Sequence, residues 1–497
     1  MNPTAAPAGP RAPAARARRW ALTDWFALAA GALVTLATVY GLMLHPRLTR
    51  RGLLALAVLA VAALVVEQRR RLARLSLSRI VLWLAIALPL AALVGPSASL
   101  PGLRQLFAFR VLVGLLVVLA LTWALATRGS LRRHAASFLA LLLVWFAWLT
   151  LSLAWAPDKG AGLRYLLILA AMLVLVVAVA ATGSSRRRLQ GLCAVLAFAY
   201  LLTVAITLLE MVLGLHLASS SLVNAPQTKQ WGVTSFFYNP NNLATFLALC
   251  WPFLFTAFFV TRRRPWWWLA AAGMGLGLLA LVHTGSRSSL LTIGLETVIA
   301  VLYFTRIDRA RAKWFGAVVG VALVAGFAWL AFNNSTSDMI RQFRLPGLVQ
   351  SVQQGHGSGS TRLGLLRSGL DVAMSYGFVG VGPGNAENLV KNGPVPVGIG
   401  NLHDWWLEVL VDGGLPSLVV YVLFYFGLMG VLLKVARRAT DPLYRYLAVA
   451  TFVAFAGYIV GCLGPSSAIS FTPMWILFGV GLATVVRAGR ATQERAL

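Results

Sequence analysis

Fourteen apolar runs, most of them close to the length of a membrane-spanning helix, follow one another along this chain, with short basic clusters between many of them. About 20 apolar residues at a rise of ~1.5 Å each cross the ~30 Å hydrocarbon layer of a bilayer. Inside lipid every backbone N–H and C=O must find a partner within the chain, which leaves helices as the reading for runs of this length. The runs fall at 22–44, 52–66, 80–95, 107–127, 136–155, 164–182, 189–214, 241–260, 266–283, 288–305, 314–332, 403–433, 445–462 and 473–487. Composition agrees, because 59% of the 497 residues are hydrophobic and only 11% are charged. The expected fold is an all-α polytopic transmembrane bundle of about 12–14 spans; the runs at 52–66 and 473–487 are the short ones.

A net charge of +29 would suit nucleic acid if it were gathered on one surface. Here it is dispersed as "EQRRRLARLSLSR", "RGSLRRH", "SSRRR", "TRRRP", "RIDRARAK" and "KVARRATDPLYR", the pattern that the positive-inside rule produces. With both termini cytoplasmic, 29 of the 43 Lys and Arg fall inside, and only the loop "HPRLTRR" argues strongly the other way. The first apolar run lacks a cleavage signal and reads as a retained span. The expected organisation is a disordered cytoplasmic tail over 1–20, transmembrane helices 1–11 over 21–332, a helical extracytoplasmic cap over 333–402, helices 12–14 over 403–487, and a cytoplasmic tail over 488–497. Cys193, Cys250 and Cys462 lie within or beside apolar runs, with no metal-like spacing and no disulfide framework.

Polar chemistry collects at the outer ends of the runs. Arg287 ends the tight "HTGSR" turn after His283, Gly285 and Ser286; it is either a snorkelling interfacial arginine or a phosphate ligand. Asn239, Asn241 and Asn242 surround Pro240 in "FFYNPNNLATF". Helix capping explains most of that stretch, yet several amides at one helix mouth also suit a sugar or a pyrophosphate. Lys229 is the cation of the same loop. Arg362 and Arg367 begin a helical pattern that leads into the "GVGPGN" turn of Gly380–Asn385. Their spacing puts them on different helix faces.

The stretch "GIGNLHDWWLEVLVDGGLPS" sets His403, Trp405 and Trp406 beside Asp404, Glu408 and Asp412 at one helix start. The acids share a face at i, i+4 and i+8. Three readings stay open. The acids cap and solvate the helix, or His403 and the acids bind a metal, or His403 is a general base near neutrality whose tautomer an acid fixes.

Together these residues resemble the bacterial O-antigen ligase family. The family pattern of His, a small polar residue, nine positions, then Gly, two positions and a small residue reads here as His403, Asp404, Gly414 and Ser417. Asp at the second position and Ser at the last are departures. The "TGSR" turn, the "NPNNLA" helix start and the "GVGPGN" turn stand in the family's order. The resemblance covers roughly 150–487 and implies a C-type glycosyltransferase fold and a metal-independent membrane glycosyltransferase without cofactors. Its implied donor is a glycan on undecaprenyl pyrophosphate, its acceptor a glycolipid or glycan hydroxyl, its setting the outer face of the bacterial inner membrane, and it takes no nucleic acid. Arg287 and His403 match the family's Arg and His as catalytic residues. Arg362 matches a second Arg, and Lys229 stands where the family carries an Arg. Asn239, Asn241, Asp404, Glu408, Trp405 and Trp406 are the further substrate contacts expected, with the two Trp either packing or stacking on sugar. A surface-polysaccharide polymerase of the same architecture and a polysaccharide transporter or flippase are the alternatives.

Overall fold

In the computed structural model, residues 89–94, 99–100, 103–107, 135–223, 225, 232–260, 264–306, 358–391, 401–465, 467, 469–496 and scattered positions between 309 and 324 are described. The tail at 1–20, the helices expected at 22–44, 52–66 and 107–127, Lys229, most of 314–332, and 333–357 and 392–400 of the cap lie outside the described residues.

The described helices are α1 (Ala136–Ser152), α2 (Lys159–Ala181), α3 (Arg186–Leu213), α4 (Pro240–Val260), α5 (Arg264–Thr284), α6 (Arg287–Phe304), α7 (Ser358–Ser375), α8 (Ala386–Lys391), α9 (Trp405–Arg438), α10 (Pro442–Gly461) and α11 (Thr472–Ala496). Eight of the described helices are long and apolar enough to cross a membrane, namely α2 to α6 and α9 to α11. The protein is a polytopic helical membrane protein. The helix expected at 473–487 continues to Ala496. Its polar end is anchored at Arg487, whose Nε donates to the Tyr444 hydroxyl at 2.9 Å. A short antiparallel hairpin, β1 (Ser99–Leu100) with β2 (Leu103–Phe107), is a further addition to the expected helices. The Pro-Gly pair between its strands is a turn signal.

Polar residues at helix ends do the capping that an apolar chain cannot. Asp158 accepts from Ala161 N at 2.9 Å to start α2, and Asp441 accepts from Leu443 N at 2.9 Å to start α10. Within the bundle the core is aromatic. Trp405 is 2% exposed and lies against Tyr421, Tyr458, Trp475 and Phe478, with ring centroids 5.6–6.4 Å apart. Such offset and edge-on contacts add to the burial of large rings.

One long helix is broken beside the site. The run at 403–433 reads as a single helix, but α9 kinks at Gly414, where φ is 71° and ψ is −173°. Pro416 has no N–H to give the Asp412 carbonyl, which loosens the helix here, and tertiary contacts complete the break. The "GVGPGN" turn lies against the kink, with Leu415 N donating to Phe378 O at 2.8 Å and Gly382 N donating to Asp412 O at 3.0 Å. A Cβ on Gly414 would sit 2.3 Å from the Val379 carbonyl carbon, and one on Gly380 2.5 Å from Gly413 and Gly414 backbone atoms. Both glycines adopt positive φ. Tryptophans of α1 and the turn after it reinforce the joint: Trp148 Nε1 donates to Gly413 O at 2.6 Å and Trp155 Nε1 to Gly380 O at 2.9 Å.

Candidate functional site

His403 sits immediately before α9 in left-handed backbone, with φ 50°. That conformation is uncommon for a residue bearing a Cβ and persists only where the surroundings enforce it. Its N–H donates to the Asn401 side chain at 3.1 Å, and Asp404 caps the helix by accepting from Trp406 N at 2.9 Å and Leu407 N at 3.3 Å. The imidazole is half-buried, and its Nδ1 is enclosed without a hydrogen-bond partner. Burial pushes the ring pKa below its usual value and the Arg362 charge pushes it further the same way, opposed by the backbone of Pro465 and Gly464. Near neutrality the ring is therefore uncharged, the form that accepts a proton.

Arg362 enters from α7, and its charge acts on Arg287 as well as on His403. Burial lowers its own pKa, although a guanidinium stays protonated through the physiological range. Arg287 begins α6 directly after the turn at Gly285. Arg287 and His403, widely separated along the chain, thus both lie within the field of the Arg362 charge. Arg367 is exposed on another face of α7. His283 turns back on its own helix, with Nδ1 2.9 Å from Leu279 O.

The asparagine stretch lies nearby through the loop after α10. Gly464, which borders His403, packs against Thr245, where an added Cβ would stand 2.3 Å from Oγ1. Asn239 acts as the cap of α4, its Oδ1 accepting from Asn242 N at 2.9 Å, and the Asn241 carbonyl accepts from Thr245 Oγ1 at 2.9 Å. The segment before it is held by an acid inside the apolar run at 189–214. Glu210 is buried and accepts from Thr234 N at 2.8 Å and Ser235 N at 2.7 Å, with His216 Nδ1 3.5 Å away. An acid inside an apolar run, six residues before a histidine, was the available signal.

The three acids of α9 do not act as one face. Asp404 is the cap, and burial raises its pKa while the two backbone donors hold it down. Glu408 Oε1 lies 3.4 Å from the Ser467 hydroxyl. Asp412 is 2% exposed and accepts from Asn385 N at 3.1 Å and Ala386 N at 2.9 Å, which fastens the glycine turn and the start of α8 to α9. Asn385 and Asp412 were missed as positioning residues because only the folded chain brings their backbone and side chain together. Trp405 is enclosed by aromatic rings and presents no face to a sugar; Trp406 stacks on Phe426 at 6.1 Å and meets Tyr421 and Tyr425 edge-on. Among the described residues no group of three or more His, Cys, Asp and Glu converges to hold a metal ion.

The site thus holds two guanidinium groups, a neutral imidazole and the first turns of α4 and α6, where the helix dipole places partial positive charge. Such an arrangement suits an anionic, phosphorylated ligand beside a group that takes up a proton. Residues 272–422 match the family model described as O-Antigen ligase, a span that contains Arg287, Arg362 and His403. The chain is also similar to the "Teichuronic acid biosynthesis protein TuaE" of Bacillus subtilis (strain 168), at 28% identity over 412 residues covering 79% of this chain and 81% of that protein.

Proposed function

We propose that this O-antigen ligase/polymerase-like membrane protein moves a glycan from undecaprenyl pyrophosphate to an acceptor hydroxyl, in the manner of an O-antigen ligase. The observation that carries the reading is that the Arg362 charge acts on both Arg287 and His403, with all three inside the family match. The acceptor oxygen attacks the anomeric carbon as the bond from that carbon to the pyrophosphate oxygen breaks. The electron pair of that bond leaves with the pyrophosphate, and the hydroxyl proton passes to His403. Arg287 and Arg362 take the oxygens of the leaving group, where a planar fork engages two at once. Charge grows on those oxygens in the transition state, so fixed cations stabilise it more than the ground state. Lys229 and the Asn241 amide extend the donor site in this reading, and no step requires a metal.

The test is incubation of the purified full chain with undecaprenyl-pyrophosphate glycan and candidate acceptors, followed by sizing of the products. One transfer per acceptor supports a ligase. A ladder supports a polymerase of the same architecture. Absence of transfer from folded protein with every acceptor overturns both in favour of transport.

In the same proposal the site faces the periplasm from the inner membrane, with both termini cytoplasmic. Arg186, Arg306, Arg437, Arg445 and Arg487 gather at the helix ends away from His403, which supports this orientation. Thiol labelling of intact cells is expected to modify Arg367→Cys on α7 and to leave Arg309→Cys unmodified. The reverse pattern overturns the orientation and, with it, a periplasmic reaction.

A further inference from the structure

At the opposite end of the bundle from His403, a pocket of about 290 Å³ is lined by Tyr303, Arg306, Ala436, Arg437 and Arg445. Three arginines face it, and no carboxylate is among its described lining residues. Its walls are ordered. The Tyr303 hydroxyl donates to Ala436 O at 2.8 Å, and Arg445 donates from Nε at 3.1 Å and Nη2 at 2.8 Å to Ala439 O. Asp441, the acid close by in sequence, is already engaged. Its carboxylate pairs with Arg186 and accepts from Leu443 N. The positive charge of the pocket is therefore not cancelled by that acid.

Two exposed apolar stripes run toward this pocket. On α6, Leu291, Leu295, Val298 and Leu302 are exposed at helical spacing, and Arg306 follows one turn later. On α9, Leu415, Val419, Leu423 and Phe426 form a second stripe on the face that carries Arg437 three turns further on. Surfaces of this kind on a spanning helix face acyl chains. A ligand with a phosphate group and hydrocarbon tails matches both features at once, whereas a soluble anion would use only the arginines.

We propose that this pocket binds the phosphate headgroup of an anionic membrane lipid, with the lipid's acyl chains lying along the exposed faces of α6 and α9. Arginine forks suit a phosphodiester, and basic pockets at the membrane surface between spanning helices are suited to anionic headgroups. The pocket lies at the end away from Arg287, Arg362 and His403, so the proposal stands independently of the reaction assigned to them.

Native mass spectrometry of the full chain, released from mixed phosphatidylglycerol and phosphatidylcholine with matched acyl chains, tests it. Wild type is expected to retain phosphatidylglycerol with roughly thirtyfold preference, as two arginines near a headgroup imply. Arg306→Gln with Arg437→Gln should bring the two lipids close to parity, and Arg306→Lys with Arg437→Lys should keep part of the preference. Near-ultraviolet circular dichroism establishes that each variant is folded. Equal retention of both lipids by wild type overturns the proposal, as does an undiminished preference in the folded double Gln variant. Displacement of phosphatidylglycerol by millimolar inorganic phosphate also overturns it, and assigns the pocket to a soluble anion.

Discussion

Replacement of His403 by Ala is expected to lower the transfer rate by roughly 10²–10⁴-fold, the usual contribution of a positioned general base, while the lipid-linked donor still binds. The imidazole is half-buried, carries an enclosed Nδ1 without a partner, and stands on strained backbone at a helix start. Its pKa lies below the usual value because burial and the Arg362 charge both disfavour the protonated ring. The sign of the pH dependence follows. The neutral ring is the active form, so the rate rises with pH through the lowered pKa and is flat above the ordinary histidine value of about 6.5. The acids of α9 do not reverse this shift: Asp404 is turned to its capping donors and Asp412 to the glycine turn. Arg362→Gln removes one of the two depressing influences, so the rise should move to higher pH even if the plateau also falls. His403→Gln preserves hydrogen bonding without the basic nitrogen and should not restore the rate. Full activity of folded His403→Gln protein, measured with the same donor and acceptor, would remove His403 from the chemistry.

Loss of Arg287 should be nearly as severe. Arg287→Ala deletes a cation that the pyrophosphate needs most as it departs, and a contact of that kind contributes roughly 2–4 kcal/mol to the transition state. Arg287→Lys should recover little, because an ammonium is a point charge and does not span two phosphate oxygens. The measurement is single-turnover transfer alongside donor binding. A pure binding role would raise the donor concentration needed for half-maximal rate and leave the rate at saturation unchanged. A folded Arg287→Ala protein working at the wild-type rate would reduce Arg287 to an interfacial anchor.

Much of this architecture is legible in the chain because lipid removes alternatives. A run such as 189–214 or 445–462 has only the helix open to it, and the structure places α3 and α10 within a few residues of those limits. Capping signals are equally local, and Asp158, Asp404 and Asp441 act on the residues two or three positions after them. The type and order of the polar motifs were readable for a related reason: charged and amide side chains are costly in hydrocarbon, so they collect where helices end.

What only the tertiary structure decided concerns neighbours far apart in sequence. Gly413, Gly414 and Pro416 weaken the helix locally, yet the run at 403–433 reads as one element; the Phe378–Gly380 backbone lying against Gly414 sets the position and shape of the break. Asp404, Glu408 and Asp412 share a face by periodicity, yet the fold gives them a cap, a contact with Ser467 and the fastening of a turn. Trp405 was equally compatible with a sugar and with a core until Tyr421, Tyr458 and Trp475 closed around it. The shared field of Arg362 at Arg287 and His403 likewise has no counterpart in spacing or composition. Periodicity along one helix determines which side chains share a face, whereas the partner that face meets depends on how separate helices pack, and that packing sets the charge and the proton affinity of the site.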